Sequence, residues 1–170
     1  MWRLFRSSAA GNMSKPAKRL TSITLAEMDF DADAAMSDFR KGIENAGAIV
    51  SFLGQVSAES DDNPVTALFL DHMPQATRAS IEKIADAAEA RWPLLKASII
   101  HRVGTVNCGQ PIVFVACAAR HRRDAFEAAD YLMDFLKSDV LLWKKEMRAD
   151  GAAWIEPRAQ DYDDKKRWDT

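Results

Sequence analysis

Apolar positions recur along this chain with two different periods, and the switching between them predicts its elements. Met36, Phe39 and Ile43 share one helical face, and Asp31 or Asp33 stands where a cap would be needed. Gly47 breaks that helix. Residues 48–56 form a β-rich run, 57–64 a polar loop, and 65–71 a returning strand. The two strands read as a hairpin-like pair with a long connection. Pro74 closes the second strand, and Ile81, Ile84, Ala85 and Ala88 give an inner face to a helix over 75–91. Trp92-Pro93 stops it. Residues 22–25, 96–103 and 112–118 read as strands, with a turn at 107–110. Helices and strands are mixed without a regular βαβ alternation, so the fold class is α+β.

One further helix begins after residue 120. Asp124 can cap it, and Phe126, Ala129, Met133 and Leu136 are expected to face the core. Lys137 lies eleven residues after Phe126 and four after Met133. At about 100° per residue it falls within roughly 20–40° of both, along the edge of that face. Two readings follow: a snorkelling lysine paired with Asp134 one turn earlier, or a lysine pointing into a pocket.

Charge favours attention to this region. The chain has a formal net charge of -2, yet Arg120, His121, Arg122 and Arg123 precede the helix and Lys137 ends it. Trp143-Lys144-Lys145 follows, and Arg158 comes just after a strand-like 153–156. Cations gathered at the ends of packed elements predict a pocket for a small anion such as a phosphate or carboxylate.

Composition narrows the choices. The 170 residues fit one domain, and a hydrophobic content of 48% can fill its core. The first 21 residues carry Arg3, Arg6, Lys15, Lys18 and Arg19 and no acid. They are expected to be a disordered tail, with Met13 as an alternative start, ahead of a single domain over 22–170; they resemble a transit peptide only weakly. No apolar run approaches the about 18 residues of a membrane span. Cys108 and Cys117 form no CxxC pair and suit a reducing compartment. His72, His101 and His121 lack metal-ligand spacing. No Gly-rich phosphate loop or GxSxG elbow is present. A pI of about 5.9 without an extended basic stripe argues against nucleic-acid binding.

The segments GAIVSFLGQV (47–56), VTALFLDHMP (65–74), RWPL (91–94), IIHRVG (99–104), IVFVACAARHRRDAFEAADYLMDFLK (112–137), LWKKE (142–146) and DGAAWIEPR (150–158) occur in one order across most of the chain. Together they make residues 46–168 resemble the large, catalytic subunit of molybdopterin synthase. The resemblance implies an α/β hammerhead fold with an additional antiparallel sheet region. It also implies a cytoplasmic sulfurtransferase without a cofactor of its own, which converts cyclic pyranopterin monophosphate into molybdopterin. The sulfur would come from the C-terminal Gly-Gly thiocarboxylate of a small ubiquitin-like partner, bound by a homodimer of large subunits in a heterotetramer.

Carried over residue by residue, the family's pocket falls on His121, Arg122, Lys137, Lys144 and Arg158. Lys137 would be the main catalytic group and Lys144 its assistant. Arg122 and Arg158 would hold phosphate and pterin, and His121 would hydrogen-bond substrate. Plainer alternatives stay open. His121 could cap the helix, Arg158 could pair with Glu156 or Asp161, and only one of Lys144 and Lys145 is expected inward. Arg123 is expected to face solvent, and Trp143 and Trp154 to pack in the core. The chain departs from the family at Ser57, where an arginine is usual, with Glu59, Asp61 and Asp62 close behind. Met73 stands where tyrosine is common, and Leu141 replaces a proline, which favours a more helical connection. A non-catalytic paralogue that binds the small partner as a scaffold is the alternative function.

Overall fold

The computed structural model describes residues 19–58 and 63–169. The chain runs β1 (Thr21–Ala26), α1 (Ala32–Phe39), β2 (Ala48–Gln55), β3 (Val65–His72), α2 (Pro74–Arg91), β4 (Leu94–Arg102), β5 (Gly104–Asn107), β6 (Pro111–Ala119), α3 (Arg122–Ser138), β7 (Leu142–Arg148), β8 (Gly151–Ile155) and α4 (Ala159–Lys166). It builds two four-stranded sheets, ordered β1-β4-β6-β2 and β5-β3-β7-β8. Among the described residues, only β1 and β4 pair in parallel; the second sheet is wholly antiparallel.

β6 explains the layering. Val113, Val115, Cys117 and Ala119 face α2 and α3, in a core with Ile81, Ala85, Leu132 and Leu136. Phe114, Ala116 and Ala118 face the other way, toward Phe39 and Ile43. An uninterrupted apolar run is what a strand covered on both faces requires. The second sheet has its own small core of Val56, Val65, Leu70 and Val106. Val103 links β4 to β5, and there the chain passes from one sheet to the other.

The α+β class and the additional antiparallel sheet agree with the sequence reading; several local expectations do not. β2 and β3 form no hairpin: β2 pairs with β6, while β3 lies between β5 and β7. Asp31 is the cap of α1, accepting from the N–H groups of Asp33 and Ala34 at 2.9 and 3.0 Å. That helix ends at Phe39, and Gly42, at φ 75°, makes the turn that follows. Gly47 acts through space instead. A Cβ there would lie 2.2 Å from the carbonyl oxygen of Arg120, so only glycine lets this backbone lie against the start of α3.

α3 is rotated from its expected setting. Ala125, Ala128, Ala129, Leu132 and Leu136 are buried, whereas Phe126 is 60% exposed. Small alanines let the helix lie close against the sheet and put the bulky Phe126 on the rim. His121 occupies the N-cap position without a capping side-chain bond, and Asp124 sits inside the first turn. The connection through Leu141 is not helical, since β7 starts at Leu142.

The described contacts begin before residue 22. Arg19 pairs with Asp86 at 2.9 Å and Glu82 at 3.1 Å, and the Thr21 N–H and hydroxyl donate to Glu89 at 2.9 and 2.7 Å. The rest of the expected tail, 1–18, and the acidic positions Glu59, Asp61 and Asp62 lie outside the described residues.

At the other end the chain folds back onto α3. Arg167 reaches Asp130 and Asp134 at 2.8 and 2.6 Å, and the Trp168 indole N–H donates to Asp134 at 2.7 Å. Lys165 pairs with Asp139 at 2.6 Å. The Trp168 ring meets Trp92 and Tyr131 edge-on. These contacts fix the C-terminal end of α4 against α3.

Candidate active site

α3 carries one cationic cluster at each end. At its C-terminal end the Lys137 ammonium lies 3.4 Å from one carboxylate oxygen of Asp161, and the other oxygen accepts the Arg158 backbone N–H at 2.9 Å. Asp134, the partner weighed from sequence, is instead held by Arg167 and Trp168. Lys137 is exposed, its side chain at 54%, while that of Asp161 is at 16%. The carboxylate is therefore the shielded member of the pair.

Lys144 joins them from β7. It pairs across the sheet with Leu70, which is fully buried, and with Ile155, so its side chain shares their inner face. Burial pushes the Lys144 ammonium below its ordinary pKa, the nearby Lys137 charge pushes it further, and Asp161 partly offsets both. Lys145 projects from the opposite face and lies over the Trp154 ring at 5.2 Å. The prediction of one inward lysine is thus met by Lys144. Trp143 and Trp154, expected in the core, are 47% and 56% exposed on that outer face. Arg158 is exposed at the N-cap of α4, and it meets Asp161 through its main chain.

The N-terminal end of α3 is different. Arg120, His121, Arg122 and Arg123, with Gly47, Phe126 and Glu127, line a cleft of about 540 Å³. Arg123 is largely solvated and paired with Glu127 at 3.3 Å, as its solvent-facing reading requires. The helix N-terminus adds a partial positive charge to this cleft. Fifteen residues separate Arg122 from Lys137. At 1.5 Å per residue the two ends stand roughly 22 Å apart. One chain therefore brings Lys137, Lys144 and Arg158 to one place and His121 with Arg122 to another.

Two residues of this region were given no role at the lysines by the sequence reading. Asp161 is one, weighed from sequence only as a partner for Arg158; an acid three residues after the N-cap Arg158 matches half of a capping box. His101 is the other. It is 5% exposed, its Nδ1 is 2.8 Å from the Arg102 carbonyl oxygen, and burial lowers its pKa to about 4, with the Lys144 charge adding to the effect. A proton is thus kept off the imidazole behind Lys144.

Paired ammonium groups around one shielded carboxylate, with Arg158 presented to solvent beside them, are chemically suited to a small anionic ligand on an α+β frame. Comparison with known proteins makes this specific. Residues 25–139 match the family model described as MoaE protein. A molybdopterin synthase catalytic subunit of Caulobacter vibrioides is 46% identical over 147 residues, covering 86% of this chain and 97% of that protein. One from Pseudomonas aeruginosa is 39% identical over 148 residues, 87% of this chain and 99% of that protein. Among solved structures, the molybdopterin biosynthesis MoaE protein from Burkholderia ambifaria superposes with a TM-score of 0.75 at 36% identity, over 88% of this chain and 99% of that one. The chain belongs to the MoaE family, the molybdopterin synthase catalytic subunits, and is an enzyme of molybdenum-cofactor biosynthesis.

Proposed function

We propose that the Lys137–Lys144 end of α3 transfers sulfur to cyclic pyranopterin monophosphate from the C-terminal thiocarboxylate of a small, ubiquitin-like, Gly-Gly-tailed partner, forming the dithiolene of molybdopterin. The observation that carries this reading is the unequal pair of lysines around Asp161. Lys137, ion-paired and reaching solvent, meets the anionic tail as it arrives. Lys144, half-buried and with its pKa lowered, gives up a proton more readily than a solvated lysine, which suits proton transfer during the exchange. Arg158, exposed at the same end, is a cation for the substrate phosphate.

His121 and Arg122 enter through a second copy. A small pterin phosphate cannot span the roughly 22 Å between the ends of α3. In a two-fold homodimer the N-terminal end of one α3 can meet the C-terminal end of the other, so that each site draws on both chains. Two free thiols fit a reducing compartment, and we place the reaction in the cytoplasm. No helix among the described residues is long and apolar enough to cross a membrane.

The experiment is product formation by mixed dimers. Lys137→Ala and Arg122→Ala homodimers should each be nearly inactive. After subunit exchange, roughly a quarter of the sites regain a full set of residues, and activity should return to that extent. A mixture no more active than its parents would refute the shared site, and unimpaired parents would refute the residue assignment.

A further inference from the structure

We propose that Asp161 is a positioning residue of the sulfur-transfer site: its carboxylate holds the Lys137 ammonium in place and supplies the counter-charge that lets two lysines share one end of α3. The proposal rests on the reading of Lys137 and Lys144 as the chemical centre, and it adds a residue from outside the 25–139 match.

Three observations converge on it. The carboxylate is used on both sides, since one oxygen accepts the Arg158 N–H at 2.9 Å and the other faces Lys137 Nζ at 3.4 Å. The main-chain bond fixes the carboxylate, so the lysine is aligned by a group that does not itself wander. Asp161 is also shielded, at 16% side-chain exposure, where an ion pair is screened less than on an open surface. Finally, α4 is anchored independently through Lys165, Arg167 and Trp168, so the aspartate's place does not depend on the lysine it serves.

The other charged groups around the lysines have other work. On α3, Asp134 is taken by Arg167; beside it, Asp139 is taken by Lys165. On β7, Glu146 pairs with Arg148 at 2.6 Å. From β4, His101 faces Lys144 as a buried, neutral ring above about pH 4. Arg158 adds positive charge at the helix start. Among the described residues, Asp161 is the acid whose charge acts on both Lys137 and Lys144.

Asp161→Asn tests the charge while keeping shape, because an amide oxygen still accepts the Arg158 N–H. Asp161→Glu keeps the charge on a longer arm. Two readouts are needed on the full-length protein with its thiocarboxylated partner. One is the NMR titration of the lysine side chains. The other is the single-turnover rate of dithiolene formation against pH. In Asp161→Asn the Lys144 midpoint should move to lower pH, because the Lys137 charge is no longer offset, and the rate at neutral pH should fall by about tenfold or more. Asp161→Glu should recover part of both. An unmoved midpoint with a parental rate overturns the proposal. So does a slower rate with an unmoved midpoint and a lowered Tm, which would mean that Asp161 merely holds α4 in place. A moved midpoint with an unchanged rate keeps the counter-charge but refutes the positioning role, whereas the chemical role of the lysines stands or falls with Lys137→Ala.

Discussion

Acidification should destabilise this protein through His101 in a way that a single substitution removes. The imidazole is buried, and its pKa drops from 6.5 to about 4 on folding, because burial penalises the charged ring and Lys144 adds a like charge. The unfolded chain therefore binds the proton first. Above about pH 6.5 both states are neutral at this position and the stability is fully present. As pH falls through the window between 6.5 and about 4 the unfolded state gains protons that the fold refuses, and stability is lost. At about 1.4 kcal/mol per unit the loss approaches 3 kcal/mol near the bottom of the window. His101→Asn keeps a donor near the Nδ1 position for the Arg102 carbonyl and has no proton to gain. Urea unfolding of both forms, at one protein concentration and at half-unit steps from pH 4 to 7.5, isolates the term, since the carboxylates are common to both. The wild type should lose more stability than the variant toward low pH. Parallel curves would refute the argument. A wild type that gains on the variant as pH falls would mean that the folded ring holds its proton.

Two further perturbations probe the frame of the site. Gly47→Ala forces a Cβ against the Arg120 carbonyl oxygen, where the approach is 2.2 Å, and overpacking of this kind costs about 1–3 kcal/mol. A thermal melt should show it, and an unchanged Tm would mean that the segment yields freely. Removing residues 1–21 should lower stability by about 2 kcal/mol relative to removing 1–18, because it deletes the Arg19 ion pairs and the Thr21 bonds to Glu89. Equal melting of the two truncated forms would show that these contacts contribute nothing.

The sequence was most legible where one face of an element carries a single chemical character. The strand over 112–118 and the helix over 75–91 lie within about a residue of β6 and α2, because a doubly covered strand and an amphipathic helix leave clear periods. β7 left none. Its inward positions are Lys144, Glu146 and Arg148, and its outward ones include Trp143 and Met147, so the usual pattern is inverted by the site itself. The false hairpin of β2 and β3 has a related cause: strand partners from elsewhere in the chain are set by topology, and adjacency in sequence suggested the wrong one. Lys137 was singled out by its place at the end of α3, although Phe126, the reference for its angle, proved to be on the rim. Asp161 was weighed only as a partner for Arg158, and its contact with Lys137 was not legible, since it depends on α4 folding back against α3. The clustering of cations was readable, whereas the distance between the two groups required the helix to be built.

The most direct test of the account is a single-turnover comparison of Lys137→Ala with Lys145→Ala. Both variants are loaded with thiocarboxylated partner and cyclic pyranopterin monophosphate, and product is followed as dithiolene. Lys137 lies at the Asp161 site and Lys145 lies over Trp154 on the opposite face of the second sheet. The account predicts that Lys137→Ala abolishes product formation with its melting temperature essentially kept, since an exposed ion pair contributes well under about 1 kcal/mol, while Lys145→Ala turns over at close to the parental rate. Product formed at the parental rate by Lys137→Ala would contradict it.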